Sequence, residues 1–340
     1  MYNAKIATTS PLKAILTALL ALLALAGLAA SSAHAAAGPG RIVFVAGKAN
    51  HCKMGACKNF DLVRSIGPHG GPGRVLAKIR SVTETSAADD GTVAVLSKIV
   101  AGGGANANPF TQVYLITPRG KRVEVFPHRL QGFNATGMGI SGDGKTIALT
   151  GRFTGHYAEF ETDQSKVWIA RSNGTGLHEI SSGPGVDEMP ALSPDGKHVV
   201  FARTLHDGTK AGRKTELFSV ATGGGEAVRL TENTVEDVNP VFSPDGRSIA
   251  FGQVGASNHG TIAVIGADGS GLRTVTATGR EYPDPDYSPN GRNLAFIGEM
   301  PPAPGGYESA IYTVRISGAG RALASSAFEF AELPQWTVRP

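Results

Sequence analysis

The fold is decided by two stretches of sequence that are nearly copies of one another. Residues 190–203 read PALSPDGKHVVFAR, and residues 240–253 read PVFSPDGRSIAFGQ. A third, altered copy, PDYSPNGRNLAFIGE, occupies residues 285–299. Serine, proline, aspartate and glycine in this order match a type I turn that ends in a left-handed glycine. Each stretch therefore predicts two strands joined by a tight turn, and a repeated serine of this kind is assigned a structural rather than a catalytic role.

The glycine that ends this turn recurs about every fifty residues. Each copy continues with an apolar run, a loop of variable length, a third β-like run, a Gly-rich turn and a short fourth run. One four-stranded meander cannot bury both of its faces, whereas meanders stacked side by side can. The repeat therefore predicts an all-β chain built from propeller blades. The five copies, which include the variants ADDG and SGDG, end their turns at Gly91, Gly144, Gly196, Gly246 and Gly291.

The two ends of the chain together supply a sixth blade. Runs at 41–47, 60–65 and 74–79 resemble second, third and fourth strands, with no first strand before them. The missing first strand is ELPQWTV at 332–338, and its pairing with the N-terminal blade would hide both edges. We therefore predict a six-bladed β-propeller of four-stranded antiparallel blades, closed by this C-terminal strand. A β-helix or a pair of sandwiches is the alternative.

The motif P-x-[FYW]-S-P-D-G-[KR]-x-[IVL]-x-F, taken from the copies quoted above, resembles the repeat of TolB-like six-bladed propellers. The resemblance covers nearly all of residues 40–340 and implies the fold. It implies less about function, because such blades occur in exported binding proteins and in the propeller domains of prolyl-oligopeptidase-type enzymes. TolB itself carries an α/β domain before its propeller, which has no counterpart here, so we expect a stand-alone TolB-like propeller.

The first 35 residues have the features of a secretory signal. Lys5 and Lys13 precede an apolar, alanine-rich stretch, and residues 33–35 form an A-x-A cleavage site. An uncleaved membrane anchor is the alternative. We expect residues 36–340 to form one propeller domain that is periplasmic or secreted, monomeric and not membrane-spanning. The formal net charge of +4 includes no basic run that would indicate nucleic-acid binding.

The only two cysteines, Cys52 and Cys57, lie in the stretch HCKMGAC. In an exported chain this spacing favours a local disulfide that closes a small loop. The same stretch contains His51 and Met54, which are soft-metal ligands by type, so a metal site is an alternative, as are free thiols. No CxxC motif is present to favour the metal.

Acidic residues gather just before the predicted first strands. In a propeller the innermost strand of each blade lines the central channel, so these side chains should surround one of its mouths. The variable loops between second and third strands open on the same face. Loops held by a rigid scaffold often carry the binding residues of a protein. Such a mouth could attract a basic protein segment, bind Ca²⁺ through its oxygens, or do no more than keep its rim solvated. The candidate residues are Glu84, Asp187, Glu188, Glu236, Asp237, Glu281, Asp284 and Glu332.

Catalytic motifs are absent from the sequence, which contains neither a G-x-S-x-G elbow nor an H-E-x-x-H pair. His156, His206 and His259 lie in equivalent loops of three consecutive repeats and could converge on a metal. The leading hypothesis is a non-enzymatic, exported binding or scaffold protein that presents its acidic face to a protein or peptide partner, with cell-envelope organisation as one setting. The alternative is a propeller lyase or hydrolase acting on an envelope or extracellular polymer, with or without a metal.

Overall fold

The computed structural model describes fourteen segments of the chain. They are residues 40–46, 61–67, 69–79, 81–100, 109–126, 130, 132–153, 165–206, 213–255, 260–276, 281–299, 309–320, 322–323 and 331–337. Residues 1–35, which carry the predicted signal, and both cysteines lie outside these segments. Within the described part, no helix has the length and apolar character needed to cross a membrane.

The described residues form twenty-four strands in six blades of four. Blade A contains β1 (Arg41–Ala46), β2 (Asp61–Gly67) and β3 (Gly70–Ile79), and its fourth member is the last strand of the chain. Blade B contains β4 (Val82–Ala87), β5 (Val93–Val100), β6 (Pro109–Ile116) and β7 (Arg122–Glu124). Blade C contains β8 (Phe133–Ile140), β9 (Thr146–Phe153), β10 (Lys166–Arg171) and β11 (His178–Glu179).

The second half of the ring repeats this arrangement. Blade D contains β12 (Val186–Leu192), β13 (His198–His206), β14 (Arg213–Ala221) and β15 (Val228–Arg229). Blade E contains β16 (Glu236–Phe242), β17 (Ser248–Val254), β18 (Gly260–Gly266) and β19 (Arg273–Thr274). Blade F contains β20 (Glu281–Tyr287), β21 (Asn293–Glu299), β22 (Ser309–Arg315) and β23 (Ala322–Leu323). The last strand, β24 (Ala331–Thr337), completes blade A.

The ring closes as the sequence predicts. β24 pairs antiparallel with β1, so that Arg41 lies opposite Thr337 and Ile42 lies opposite Trp336. The sheet order in blade A is β24-β1-β2-β3. The six-bladed, all-β propeller with a C-terminal closing strand is therefore confirmed, with that strand at Ala331–Thr337 rather than 332–338.

The turn glycines have the predicted left-handed backbone in all five copies, with φ between 67° and 86°. Each glycine N–H donates to the carbonyl three residues earlier, at 2.7 to 3.0 Å. In the four copies that begin with serine, the hydroxyl donates to the Asp or Asn two residues later, at 2.6 to 2.8 Å. The same hydroxyl accepts the N–H five residues later, at 2.9 to 3.0 Å. The serines therefore hold the turn, as the sequence predicts.

The hydrophobic core of the described residues lies between the blades. Each of six clusters combines side chains of two neighbouring blades; for example, Phe201 and Phe218 of blade D pack with Val167 and Ile169 of blade C. In each blade, the strand next to the innermost one contributes one large apolar side chain at an equivalent position. All six of these side chains are 0% exposed. These side chains are Phe44, Leu96, Leu149, Phe201, Phe251 and Phe296.

Candidate binding site at the channel mouth

The innermost strands bulge where they pass the channel. The pairing of β12 with β13 shifts between Glu188 and Ala191, and the pairing of β16 with β17 shifts between Val238 and Val241. β4, β8, β20 and β24 show similar shifts in blades B, C, F and A. Within two of these bulges Met189 and Asn239 have φ of 54° and 50°, a region that non-glycine residues seldom occupy. The Asn239 N–H donates to the Met189 thioether at 3.4 Å, which links the two bulges.

The bulges bring two carboxylates to a cavity of about 60 Å³ in the channel. Glu84 of β4 and Asp284 of β20 line it, together with Asn239 and Met189. Burial raises the pKa of the Glu84 carboxyl well above its ordinary value, and the nearby charge of Asp284 raises it further. The backbone N–H of Thr85 acts in the opposite direction. A cation placed between these carboxylates would be favoured, because it would relieve the repulsion between two like charges.

A second cavity, of about 230 Å³, lies where blades D and E meet. Its acidic side chains are Glu188 of β12 and the exposed Glu236 of β16. Thr204 and Thr215, whose hydroxyl oxygens are 3.0 Å apart, form another part of the wall. Met189 lines this cavity and the channel cavity alike. Four of the eight predicted carboxylates therefore border two adjoining cavities.

Asp187 lies inside blade D and is 0% exposed. Arg203 donates to both of its carboxylate oxygens, at 2.6 and 2.9 Å, and the Ser181 hydroxyl donates at 2.6 Å. The Arg203 guanidinium also stacks on the rings of Phe201 and Phe218, about 5 Å from each centroid. Asp187 is therefore neutralised within the blade, which differs from the solvent-facing position that the sequence suggests.

Asp237, at the equivalent position of blade E, is also 0% exposed but faces neutral partners. Asn233 donates to one carboxylate oxygen at 2.7 Å, and Gln253 donates to the other at 3.1 Å. Burial raises the pKa of Asp237, as does the charge of Glu216, whereas its hydrogen bonds lower it. Any part that Asp187 or Asp237 plays in binding would be to position the strand, because neither carboxylate reaches solvent.

The remaining predicted site residues fall at or beyond the limits of the described structure. Glu281 is the first residue of β20, and Glu332 lies in β24 opposite Val45, so both lie within innermost strands rather than just before them. Their side chains lie outside the described part. So do His156, His259, Cys52, Cys57 and the side chain of His206.

In the segments that the structure describes, no three His, Cys, Asp or Glu side chains converge as a metal site would require. Ca²⁺ takes six to eight oxygen ligands, and the channel cavity offers the two carboxylates and the Asn239 amide. Binding of Ca²⁺ here, like the disulfide, stays a prediction.

Two residues that shape this region, Met189 and Arg203, were not predicted from the sequence. Met189 reads as an ordinary apolar residue, and only the backbone shows that it lies in a bulge shared by two cavities. Arg203 carried a visible signal, since it ends the apolar run HVVFAR at a position where the next copy has Gln253. A charged residue in a buried strand indicates a buried partner.

These features define the molecule as a six-bladed β-propeller with two carboxylates, Glu84 and Asp284, on a cavity in its channel. Residues 139–336 match the family model of the TolB beta propeller domain. The match covers more than half of the chain, and the chain belongs to this family.

Individual relatives share part of this architecture. A TolB homolog of Chlorobium chlorochromatii is 32% identical over 157 residues, covering 31% of this chain and 36% of its own length. Dipeptidyl-peptidase 5 of Porphyromonas endodontalis is 30% identical over 110 residues, covering 32% of this chain and 16% of the peptidase. The chain thus spans about a third or less of these curated relatives. The crystal structure of TolB from Acinetobacter baumannii superposes with a TM-score of 0.65 at 18% identity, covering 88% of this chain and 67% of that one, which shows a shared fold.

Proposed function

We propose that this protein is an exported, non-enzymatic binding or scaffold module that holds a basic segment of a protein or peptide partner at the channel mouth. The observation that carries the proposal is the pair of adjoining cavities bordered by Glu84, Asp284, Glu188 and Glu236. Membership of the TolB beta propeller domain family supports it, since the relatives that share the blades include a TolB homolog.

The chemistry of the mouth favours a cationic ligand. Glu84 and Asp284 repel one another in a partly desolvated cavity, and a lysine or arginine side chain placed there would compensate both charges. Next to the channel cavity, Glu188 and Glu236 border a second cavity large enough for a further side chain. Complementary charge of this kind contributes to partner selection and to the association rate. Added salt screens the charges, so both the selectivity and the association rate should fall.

A charge-reversal experiment tests the proposal. The variant Glu188→Lys with Glu236→Lys changes two groups that border the second cavity and leaves the buried Asp187 and Asp237 in place. Partners are captured by crosslinking in the native compartment with the wild-type protein and with the variant. We expect the variant to lose the partner captured by the wild type while it keeps the circular dichroism spectrum of the folded propeller.

A matched control carries the same change in charge elsewhere. Glu179→Lys with Glu226→Lys alters two exposed carboxylates outside both cavities, and it should retain capture. Equal capture by the two double variants would contradict the proposed face. Turnover of a polysaccharide panel by the purified protein would favour the enzyme alternative instead.

A further inference from the structure

The outermost strand of blade A differs from the outermost strands of the other five blades. β7, β11, β15, β19 and β23 are two or three residues long, whereas β3 runs for ten residues, Gly70–Ile79. β3 is the terminal strand of its sheet, and no strand of the described residues pairs with its outer side. Blade A therefore presents the one long outer edge among the described blades.

A long strand edge offers a row of backbone N–H and C=O groups to any extended chain that approaches it. Soluble proteins usually shorten or block such edges, and five blades here have short ones. In β3, Pro72 removes one donor near the start of the strand, which leaves residues 73–79 as the part able to pair. No strand of the described residues covers the outer side of residues 73–79, where the pairing of β3 with β2 carries one bulge, between Val75 and Ala77.

The side chains on this edge indicate which kind of segment would pair with it. Arg74 and Lys78 are exposed, and Val75 between them is 42% exposed. The strand, GGPGRVLAKI, contains no acidic residue. Pairing between two copies of β3 would bring cations together, which disfavours a second copy of this chain. An extended segment with acidic and β-branched residues would match both the charge and the exposed valine.

We propose that the outer edge of β3 binds an extended acidic segment of a partner protein by β-strand addition. The partner strand would become a fifth strand of blade A, bonded through the backbone of residues 73–79 and matched in charge to Arg74 and Lys78. This site lies on the outside of the ring, whereas the acidic mouth is formed by the innermost strands. The two surfaces thus select partners of opposite charge.

The test uses a synthetic probe, the acetylated and amidated peptide (Val-Glu)₄, labelled with a fluorophore. Anisotropy titration should show binding to the wild-type protein, and hydrogen exchange should show amides within residues 73–79 that become slower in its presence. The same peptide methylated on its backbone nitrogens keeps its charge but cannot donate to β3, and it should not bind. Equal binding of both peptides, or unchanged exchange in β3, would overturn strand addition.

Charge-reversed variants test the choice of segment. Arg74→Glu with Lys78→Glu should weaken binding of (Val-Glu)₄ by about tenfold, as loss of two exposed charge pairs implies, and should favour (Val-Lys)₄. The control variant Lys121→Glu with Arg315→Glu changes two exposed cations in other blades and should bind (Val-Glu)₄ like the wild type. The same loss in both variants, or no binding to the wild type, would contradict the proposal.

Discussion

Asp187 and Asp237 show how one position in a repeat takes different electrostatic environments. Both carboxylates are fully buried at the start of an innermost strand. Asp187 meets the Arg203 guanidinium, whereas Asp237 meets the Gln253 amide, and Arg203 and Gln253 occupy equivalent positions. The change from arginine to glutamine leaves blade E with a buried carboxyl whose pKa is raised. Charge at this position therefore depends on the partner strand, which a count of acidic residues does not reveal.

Glu84 gives a pH-dependent prediction for a single residue. Its pKa is raised above the ordinary 4.5 in the folded protein, so the folded state binds this proton more tightly than the unfolded state does. Protonation of Glu84 therefore stabilises the folded protein. This stabilisation is fully present below the unfolded pKa and is lost as the pH rises through the folded pKa. Glu84→Gln cannot ionise, so the variant should gain stability relative to the wild type as the pH rises. Urea unfolding of both proteins between pH 4 and pH 8 measures the difference.

A second substitution separates the causes of this effect. Asp284→Asn removes the neighbouring charge but leaves Glu84 buried, so it should lower the pKa of Glu84 without restoring its ordinary value. Carbon-13 NMR titration of the side-chain carboxyl reports that pKa directly. If Asp284→Asn leaves the Glu84 titration unchanged, the two carboxylates do not interact across the channel.

At the scale of elements, the innermost strand β8 approaches β12 closely. A Cβ added to Gly139 would lie 2.7 Å from the Pro190 carbonyl oxygen, and one added to Gly137 would lie 2.8 Å from the Pro190 ring. Both neighbours belong to the next blade, so the backbone of β8 touches Pro190 of blade D with no side chain of its own between them. Small residues in β8 set the spacing of the ring at this point.

Gly139→Ala should therefore destabilise the propeller by about 1–3 kcal/mol, because backbone atoms of two blades must move apart. Urea unfolding measures the loss. Gly223→Ala is the matched control, since nothing lies within 4 Å of the added methyl group, and its effect should be small. Similar stability of the two variants would show that the contact between β8 and β12 adjusts without cost.

The elements differ in how well the sequence predicts them. The turns and second strands can be predicted from local chemistry. SPDG favours a chain reversal, and the short apolar run after it is typical of a buried strand. The bulges do not follow, since no residue in MPAL or NPVF requires Met189 or Asn239 to take a positive φ. They lie in the innermost strands beside the channel cavity, which Glu84 and Asp284 line while Asp187 is buried inside its blade. Sequence reasoning thus finds the blades and the acidic strand ends but not the direction of each carboxylate.

The whole molecule is closed by one strand pair, and this makes a permuted chain possible. Thr337 lies opposite Arg41, so a short turn could join the end of β24 to the start of β1 as an ordinary hairpin. A permutant that begins at residue 331, joins 337 to 41 and ends at 323 should fold to a propeller of similar stability. Circular dichroism and urea unfolding measure this, and an unfolded permutant would show that closure depends on more than the pairing of β24 with β1.

The closure also sets an order of events during synthesis. β1 is made early, yet its partner β24 follows only after residues 47–330. Until then the inner edge of β1 has no strand to pair with, and the nascent chain carries an unfinished blade. If the chain is exported as proposed, this delay would postpone completion of the ring until almost the whole polypeptide had passed through the membrane. A chain that ends before residue 331 lacks β24 and therefore cannot complete blade A.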